Sequence, residues 1–186
     1  MTTESLQMLF RHQSLKDQKS GNRMYKKENY VPFYYKSLRK DYIMNDDTIK
    51  LLKECNAGCK LATNSMEQVQ PYINDEALKN VIDEYNDKHI KLGDECHQML
   101  NELGQEEKDP NSMAKAFSWI STEIKLMMND NSHKIADLMI DGCNMGIKSV
   151  SEYINKYKTA SNKSVDLAKR LVKIEQEFMD KLLMYL

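Results

Sequence analysis

The sequence predicts an all-α protein: an antiparallel four-helix bundle with a shorter crossover helix between the second and third bundle helices. Three observations predict this fold. Apolar residues recur in alternating steps of three and four over most of the chain after residue 48. The 186 residues include only three Pro and six Gly, the residues that most often interrupt regular structure. The 13 Met outnumber Phe and Trp together, and unbranched Met side chains suit the core of a helical domain.

The first predicted helix begins after Asn45, Asp46 and Asp47, which are residue types that cap helix N-termini. Its apolar stripe then reads Thr48, Leu52, Cys55, Cys59, Ala62, Met66, Val69 and Ile73. Pro71 and Asn74 interrupt the pattern and separate this helix from the next one.

The same stepping defines a second helix, which ends at Gly104 and the polar run that follows it. Its stripe reads Leu78, Ile82, Tyr85, His89, Leu92, Cys96, Met99 and Leu103. After Asp109 and Pro110, a shorter helix carries Met113, Phe117, Ile120, Ile124 and Met127. About 18 helical residues span roughly 27 Å, so this segment can return the chain from one end of a bundle to the other.

Two further helices complete the predicted bundle. The first carries Ala136, Ile140, Cys143, Ile147, Val150, Ile154 and Tyr157. Ser161 or Asn162 caps the last helix. Its stripe is Val165, Ala168, Val172, Glu175, Met179 and Leu182, beside Leu167, Leu171, Ile174 and Phe178.

Charge is divided unevenly between the two ends of the chain. The net charge is only −1, yet residues 1–43 contain nine Lys or Arg, four Asp or Glu and five of the ten Tyr. They show no sustained helical period, so we expect a basic, Tyr-rich and poorly ordered arm before a bundle at 44–186. An alternative is that Met44 is the true start and the arm is an upstream extension.

Composition also narrows the location and the partners. No apolar run approaches the roughly 18 to 20 residues of a membrane span, and the N-terminus lacks the apolar centre of a secretory signal. We therefore expect a cytoplasmic protein with reduced cysteines, no membrane contact and no nucleic-acid binding by the bundle.

Two polar residues on the apolar stripes form the first candidate site. In an antiparallel helix pair that turns near residue 75, two residues whose numbers sum to about 151 lie at the same height. His89 therefore lies opposite Ala62. The crossover then places Gly146 and Glu175 at that height as well. Because a buried carboxylate and imidazole each need a partner, His89 and Glu175 are predicted to meet, either as a hydrogen-bonded pair that fixes helix register or as metal ligands.

Cys55, Cys59 and Cys96 form the second candidate site, since the same register clusters them toward one end of the first helix pair. Thiolates bind soft ions such as Zn(II) or Cu(I). Buried free cysteines that pack as small apolar residues are the other interpretation.

The segments LLKECNAGCKLA, IDEYNDKHIKLGDECHQMLNELG, NSMAKAFSWISTEIKLMM and ADLMIDGCNMGIKSVSEYINKY carry a resemblance. Through them, residues 45–186 resemble the bacterial ferritin-like four-helix-bundle proteins of a clostridial domain of unknown function. The resemblance implies a ferritin-like bundle and a two-metal carboxylate site, with a Glu on each of two helices and a Glu-x-x-His on each of the others. This chain departs from that pattern, because Glu84 and His89 are five residues apart and no His follows His133.

The sequence contains no Gly-rich phosphate loop, and no nucleophile is placed beside a base. We therefore expect a protein that is not an enzyme and needs no cofactor, with an interaction or structural role as a homodimer or with a protein partner. The alternative is a metal-binding or redox protein that holds Fe, Mn, Zn or Cu at His89 and Glu175 or at the three thiols.

Overall fold

The computed structural model describes residues 33–108 and 132–186, with side chains from residue 46 onward. The chain divides into two units, residues 1–37 and 38–186, and the second contains all of the described side chains. Within the described ranges all regular structure is helical, which confirms the all-α fold. Among these helices, none combines the length and the hydrophobicity that a transmembrane span requires.

Four long helices make up the described part of the chain. They are α1 (Phe33–Val69), α2 (Glu76–Glu102), α3 (Ser132–Lys156) and α4 (Asn162–Leu182). Single 3₁₀ turns follow α1 at Gln70–Tyr72 and α4 at Leu183–Tyr185. The short helix predicted around residues 113–127 lies outside the described ranges.

Helix α1 begins earlier than the sequence pattern predicts. It starts at Phe33, so Asp47 lies inside the helix and does not cap its N-terminus. The Asp47 carboxylate instead accepts hydrogen bonds from the backbone N–H and the hydroxyl of Thr159, which lower the pKa of Asp47. The neighbouring Thr48 accepts from the backbone N–H of Ser161 at 2.8 Å. These contacts tie the middle of α1 to the turn between α3 and α4.

The other helix boundaries follow local chemistry that the sequence displays. Asp75 caps α2 by accepting hydrogen bonds from the first backbone N–H groups of the helix. Gly104 follows the end of α2 with a φ of +64°, a conformation in which glycine has no steric penalty. Ser161 caps α4 by accepting from the Ser164 N–H, as predicted.

The core consists of two clusters of buried residues, one at each end of the bundle. The turn-end cluster contains the buried residues within 66–73, 78–85, 135–143 and 178–182. The thiol-end cluster contains the buried residues within 51–59, 92–100, 150–157 and 167–171. All four helices contribute to both clusters, so the four pack around one continuous interior.

The order of these residues along the chain gives the direction of each helix. Helix α1 passes from the thiol-end cluster to the turn-end cluster, and α2 returns. Helix α3 again starts in the turn-end cluster, so α2 and α3 run in the same direction while α4 opposes them. The end of α2 and the start of α3 therefore lie at opposite ends of the bundle.

Most of the predicted stripe residues that the structure describes are buried, and the remainder are partly buried: Ala62, Met99, Leu103, Ile147, Ile154, Val165, Val172, Ile174 and Met179. Near the end of α2 the buried residue is Leu100, while the predicted Met99 and Leu103 are only partly buried. An α-helix drifts by about 20° per heptad relative to a strict seven-residue repeat, so after three heptads the inward direction has moved by about 60°, more than half of the roughly 100° between successive residues.

Candidate functional site

His89 and Glu175 meet at mid-height in the bundle, between the two core clusters. The His89 side chain on α2 is fully buried, and Glu175 on α4 is only 6% exposed. His89 Nε2 lies 3.2 Å from Glu175 Oε1, and His89 Nδ1 lies 2.7 Å from the Tyr85 carbonyl oxygen one turn earlier. The meeting that the register predicts is thus present in the structure.

The two contacts of His89 restrict the positions that protons can take in the His89–Glu175 pair. A carbonyl oxygen only accepts hydrogen bonds, so Nδ1–H of His89 donates to Tyr85. One further proton is then shared between Nε2 and the Glu175 carboxyl group. The pair is either an imidazolium with a carboxylate or a neutral imidazole with a carboxylic acid, and its net charge is zero in both cases.

Glycine at position 146 lets Glu175 reach this place. A Cβ atom at Gly146 on α3 would lie 2.8 Å from Glu175 Oε1 and 3.1 Å from its Cδ. The first distance is shorter than real Cβ contacts, so any larger residue would push the carboxyl group away. Glu175 therefore packs directly on the backbone of α3.

Cys143, one turn before Gly146, is a member of this site that sequence reasoning missed. Burial raises the pKa of the Cys143 thiol well above its ordinary value, and the Glu175 charge and a hydrogen bond between the two side chains raise it further. The signal was available in the sequence, since Cys143 lies on the predicted stripe three residues before Gly146. Its place on the stripe predicts burial but does not identify Glu175 as its partner.

The aromatic ring of Tyr85 supports the site on the turn-end side. It stacks on Phe178, with centroids 4.8 Å apart and 17° between the ring planes. The Lys88 ammonium lies 3.8 Å from the Tyr85 ring centroid on the outer side and pairs with Glu84 at 2.7 Å. Helices α2 and α4 are therefore held together directly beside the His89–Glu175 contact.

Cys55, Cys59 and Cys96 all lie in the thiol-end cluster, as the register predicts. Burial raises the pKa of Cys96 to about 12, and it raises those of Cys55 and Cys59 well above their ordinary values. Such burial is typical of free cysteines that pack as small apolar residues.

Among the residues that the structure describes, no group of three or more His, Cys, Asp or Glu side chains is arranged to hold a metal ion. The two-metal site implied by the resemblance needs carboxylates from four helices, whereas the described interior contributes one carboxylate, Glu175, at the height of His89. Glu84, the nearest upstream glutamate on α2, is instead paired with Lys88 at the surface.

A cavity of about 270 Å³ opens beside the pair, between α1 and α3. His89 and Glu175 line its inner end. Glu54 and Lys108 also line it and form an ion pair of 2.8 Å, with Lys108 about one-third exposed. The pair is therefore adjacent to space that a second molecule could occupy.

A second cavity of about 350 Å³ lies on the other side of His89, between α1 and α2. Its rim carries Glu107, which accepts hydrogen bonds from Lys60 and His97. The bond from Lys60, together with bonds from Asn56 and His97, lowers the pKa of Glu107 to about 2 against the opposing effect of burial. This network fastens the segment after α2 to α1.

Fold and site together define a small all-α protein with one buried His–Glu pair and an adjoining cavity. Comparison of the chain with models of protein families, with curated proteins and with solved structures gives no match. The resemblance to clostridial ferritin-like proteins therefore stays a prediction.

Proposed function

We propose that the protein is a cytoplasmic ferritin-like four-helix bundle that is not an enzyme and acts as an interaction or structural protein. The direction of the helices supports the ferritin-like assignment. Helices α2 and α3 run in the same direction, so the second bundle helix ends and the third begins at opposite ends of the bundle. A single long crossover at this place is typical of ferritin-like bundles.

The internal pairing of His89 and Glu175 is the observation that carries the non-catalytic assignment. His89 bonds to Tyr85 and Glu175, and Glu175 also accepts from Cys143. Each of these groups has at least one partner in the same chain. A buried polar pair of this kind fixes the register of the helices that carry it, and here it joins α2, α3 and α4.

The turn end of the bundle supports the interaction role. Four large apolar side chains at this end are 40–76% exposed: Tyr72, Leu183, Met184 and Leu186. The neighbouring Tyr185 packs against the turn-end cluster and holds the last turn in place. Exposed apolar side chains that lie close together are typical of protein–protein contacts. We propose that two copies of the chain associate through this end.

Sedimentation equilibrium tests the self-association. We expect the wild-type chain to form dimers at micromolar concentrations and the Met184→Glu/Leu186→Glu variant to be monomeric. Ile90→Glu is the matched control, because Ile90 is 41% exposed but lies at mid-height on α2, and this variant should dimerise normally. A wild-type chain that is monomeric up to millimolar concentration would show that self-association is not its role.

Elemental analysis tests the metal-binding or redox alternative. We expect protein purified without a histidine tag to contain no stoichiometric Fe, Mn, Zn or Cu. One equivalent of any of these metals that disappears in His89→Ala, or in Cys59→Ala, would replace the proposed function with the alternative.

A further inference from the structure

The cavity between α1 and α3 is too large to be a packing defect. Well-packed interiors contain few voids larger than a water molecule, whereas this cavity measures about 270 Å³. It exists because both facing helices carry small residues along it. Gly58 and Ala62 line it from α1, and Gly142 and Gly146 line it from α3.

The remaining walls favour an aromatic ring. Met66 and Met139 line the cavity, and Met side chains adapt their shape and make favourable sulfur–aromatic contacts. Phe178 adds a ring against which another ring can pack. An engineered apolar cavity of about 150 Å³ in another protein binds benzene, so the larger volume here admits a fused two-ring molecule.

The inner end of the cavity offers a hydrogen-bond acceptor. Both ring nitrogens of His89 are occupied, by the Tyr85 carbonyl and by Glu175. A carboxylate has about four acceptor positions, and His89 and Cys143 take two of those on Glu175. Glu175 can therefore accept a further hydrogen bond beside the cavity, and a donor group on a ligand would supply it.

The charge balance at the inner end favours an uncharged ligand. The His89–Glu175 pair is neutral as a whole, and at the rim Glu54 is paired with Lys108. No unpaired charge remains among these groups to compensate an ion brought out of water, and burial of an uncompensated ion is strongly unfavourable.

We propose that this cavity binds a small, uncharged aromatic molecule that donates one hydrogen bond to Glu175, of the chemical class of indoles and phenols. Gly142 and the half-exposed Met145 line the cavity on α3. This activity goes beyond the proposed interaction role, because the turn-end surface does not line the cavity.

Isothermal titration calorimetry of the full chain with indole tests the site. We expect 1:1 binding of indole and at least tenfold weaker binding of 1-methylindole, which has the same ring system without the N–H donor. Ala62→Leu should abolish indole binding, because the added side chain fills the cavity from α1. Ala77→Leu is the matched control, since Ala77 is an exposed position on α2 away from the cavity.

Circular dichroism melting establishes that both variants are folded. Indole binding that survives unchanged in Ala62→Leu would overturn the location of the site, as would loss of binding in Ala77→Leu. Equal affinity for indole and 1-methylindole would overturn the role of Glu175. Absence of any heat of binding by folded wild-type protein up to the solubility limit of indole would overturn the proposal as a whole.

Discussion

Two sets of ionisable groups are buried in the same bundle. One is the pair of His89 and Glu175, and the other is the three thiols of Cys55, Cys59 and Cys96. The thiols are small and can remain neutral without a partner, and burial keeps them so by raising their pKa values. The imidazole and the carboxyl group cannot be buried in this way, because one proton must be placed between them. Burial of a thiol requires only space, whereas burial of the pair requires matched positions on three helices.

Removal of one member of the pair should have the largest effect. His89→Leu leaves the Glu175 carboxyl group buried without its main partner, and we expect the free energy of unfolding to fall by about 3–5 kcal/mol. The double variant His89→Leu/Glu175→Met removes both groups and should recover most of this loss. Urea denaturation followed by circular dichroism measures both changes. Losses that simply add in the double variant would show that the two residues are not coupled.

A methyl group at position 146 should have the next largest effect. In Gly146→Ala the new Cβ would displace the Glu175 carboxyl group from His89, and we expect a loss of about 1–3 kcal/mol in the free energy of unfolding. Gly142→Ala, one turn earlier on α3, has no atom within 4 Å of the new Cβ. It should be neutral or stabilising by up to about 1 kcal/mol, since alanine favours the helix. The same denaturation experiment compares the two, and equal effects would contradict the proposed close contact.

The buried thiols should make the free energy of unfolding fall at alkaline pH. The pKa of Cys96 rises from 9.0 to about 12 on folding, so the unfolded chain loses its thiol proton first as the pH increases. The stabilisation from this thiol is complete below pH 9.0 and is lost as the pH approaches 12. Wild-type protein should therefore lose about 1.4 kcal/mol more per pH unit in this interval than Cys96→Ala does.

Denaturation of both proteins at a series of pH values measures this difference. Below pH 8 the two curves should run parallel, separated only by the packing contribution of the sulfur atom. Curves that stay parallel up to pH 11 would show that the folded thiol ionises as readily as the unfolded one.

The heights of residues along the helices predicted the contact between His89 and Glu175, because those heights depend on little beyond backbone geometry. Residues on antiparallel helices with a known turn must lie at matched heights, so His89, Gly146 and Glu175 could be brought together from their numbers alone. The contribution of Cys143 could not be obtained in this way. A hydrogen bond to Glu175 depends on how far the carboxyl group extends over Gly146, which is a side-chain distance and not a spacing.

The start of α1 shows a different limit. The residues from Phe33 to Tyr42 are rich in Tyr and basic residues and lack a helical apolar period, so the pattern predicts no helix there. Periodicity detects only helices that bury one face. Asp47 also resembled a capping residue, but its partners are the backbone and hydroxyl of Thr159, which a local pattern cannot identify.

The contact between His89 and Glu175 joins residues 86 positions apart in the chain. Because Glu175 lies in α4, a growing polypeptide on the ribosome carries an unmatched imidazole until α4 has been synthesised. The final packing of α2 must therefore wait for α4 to emerge. The order of translation thus places completion of the interior after the synthesis of α4, and α1, α2 and α3 would come together only loosely before it.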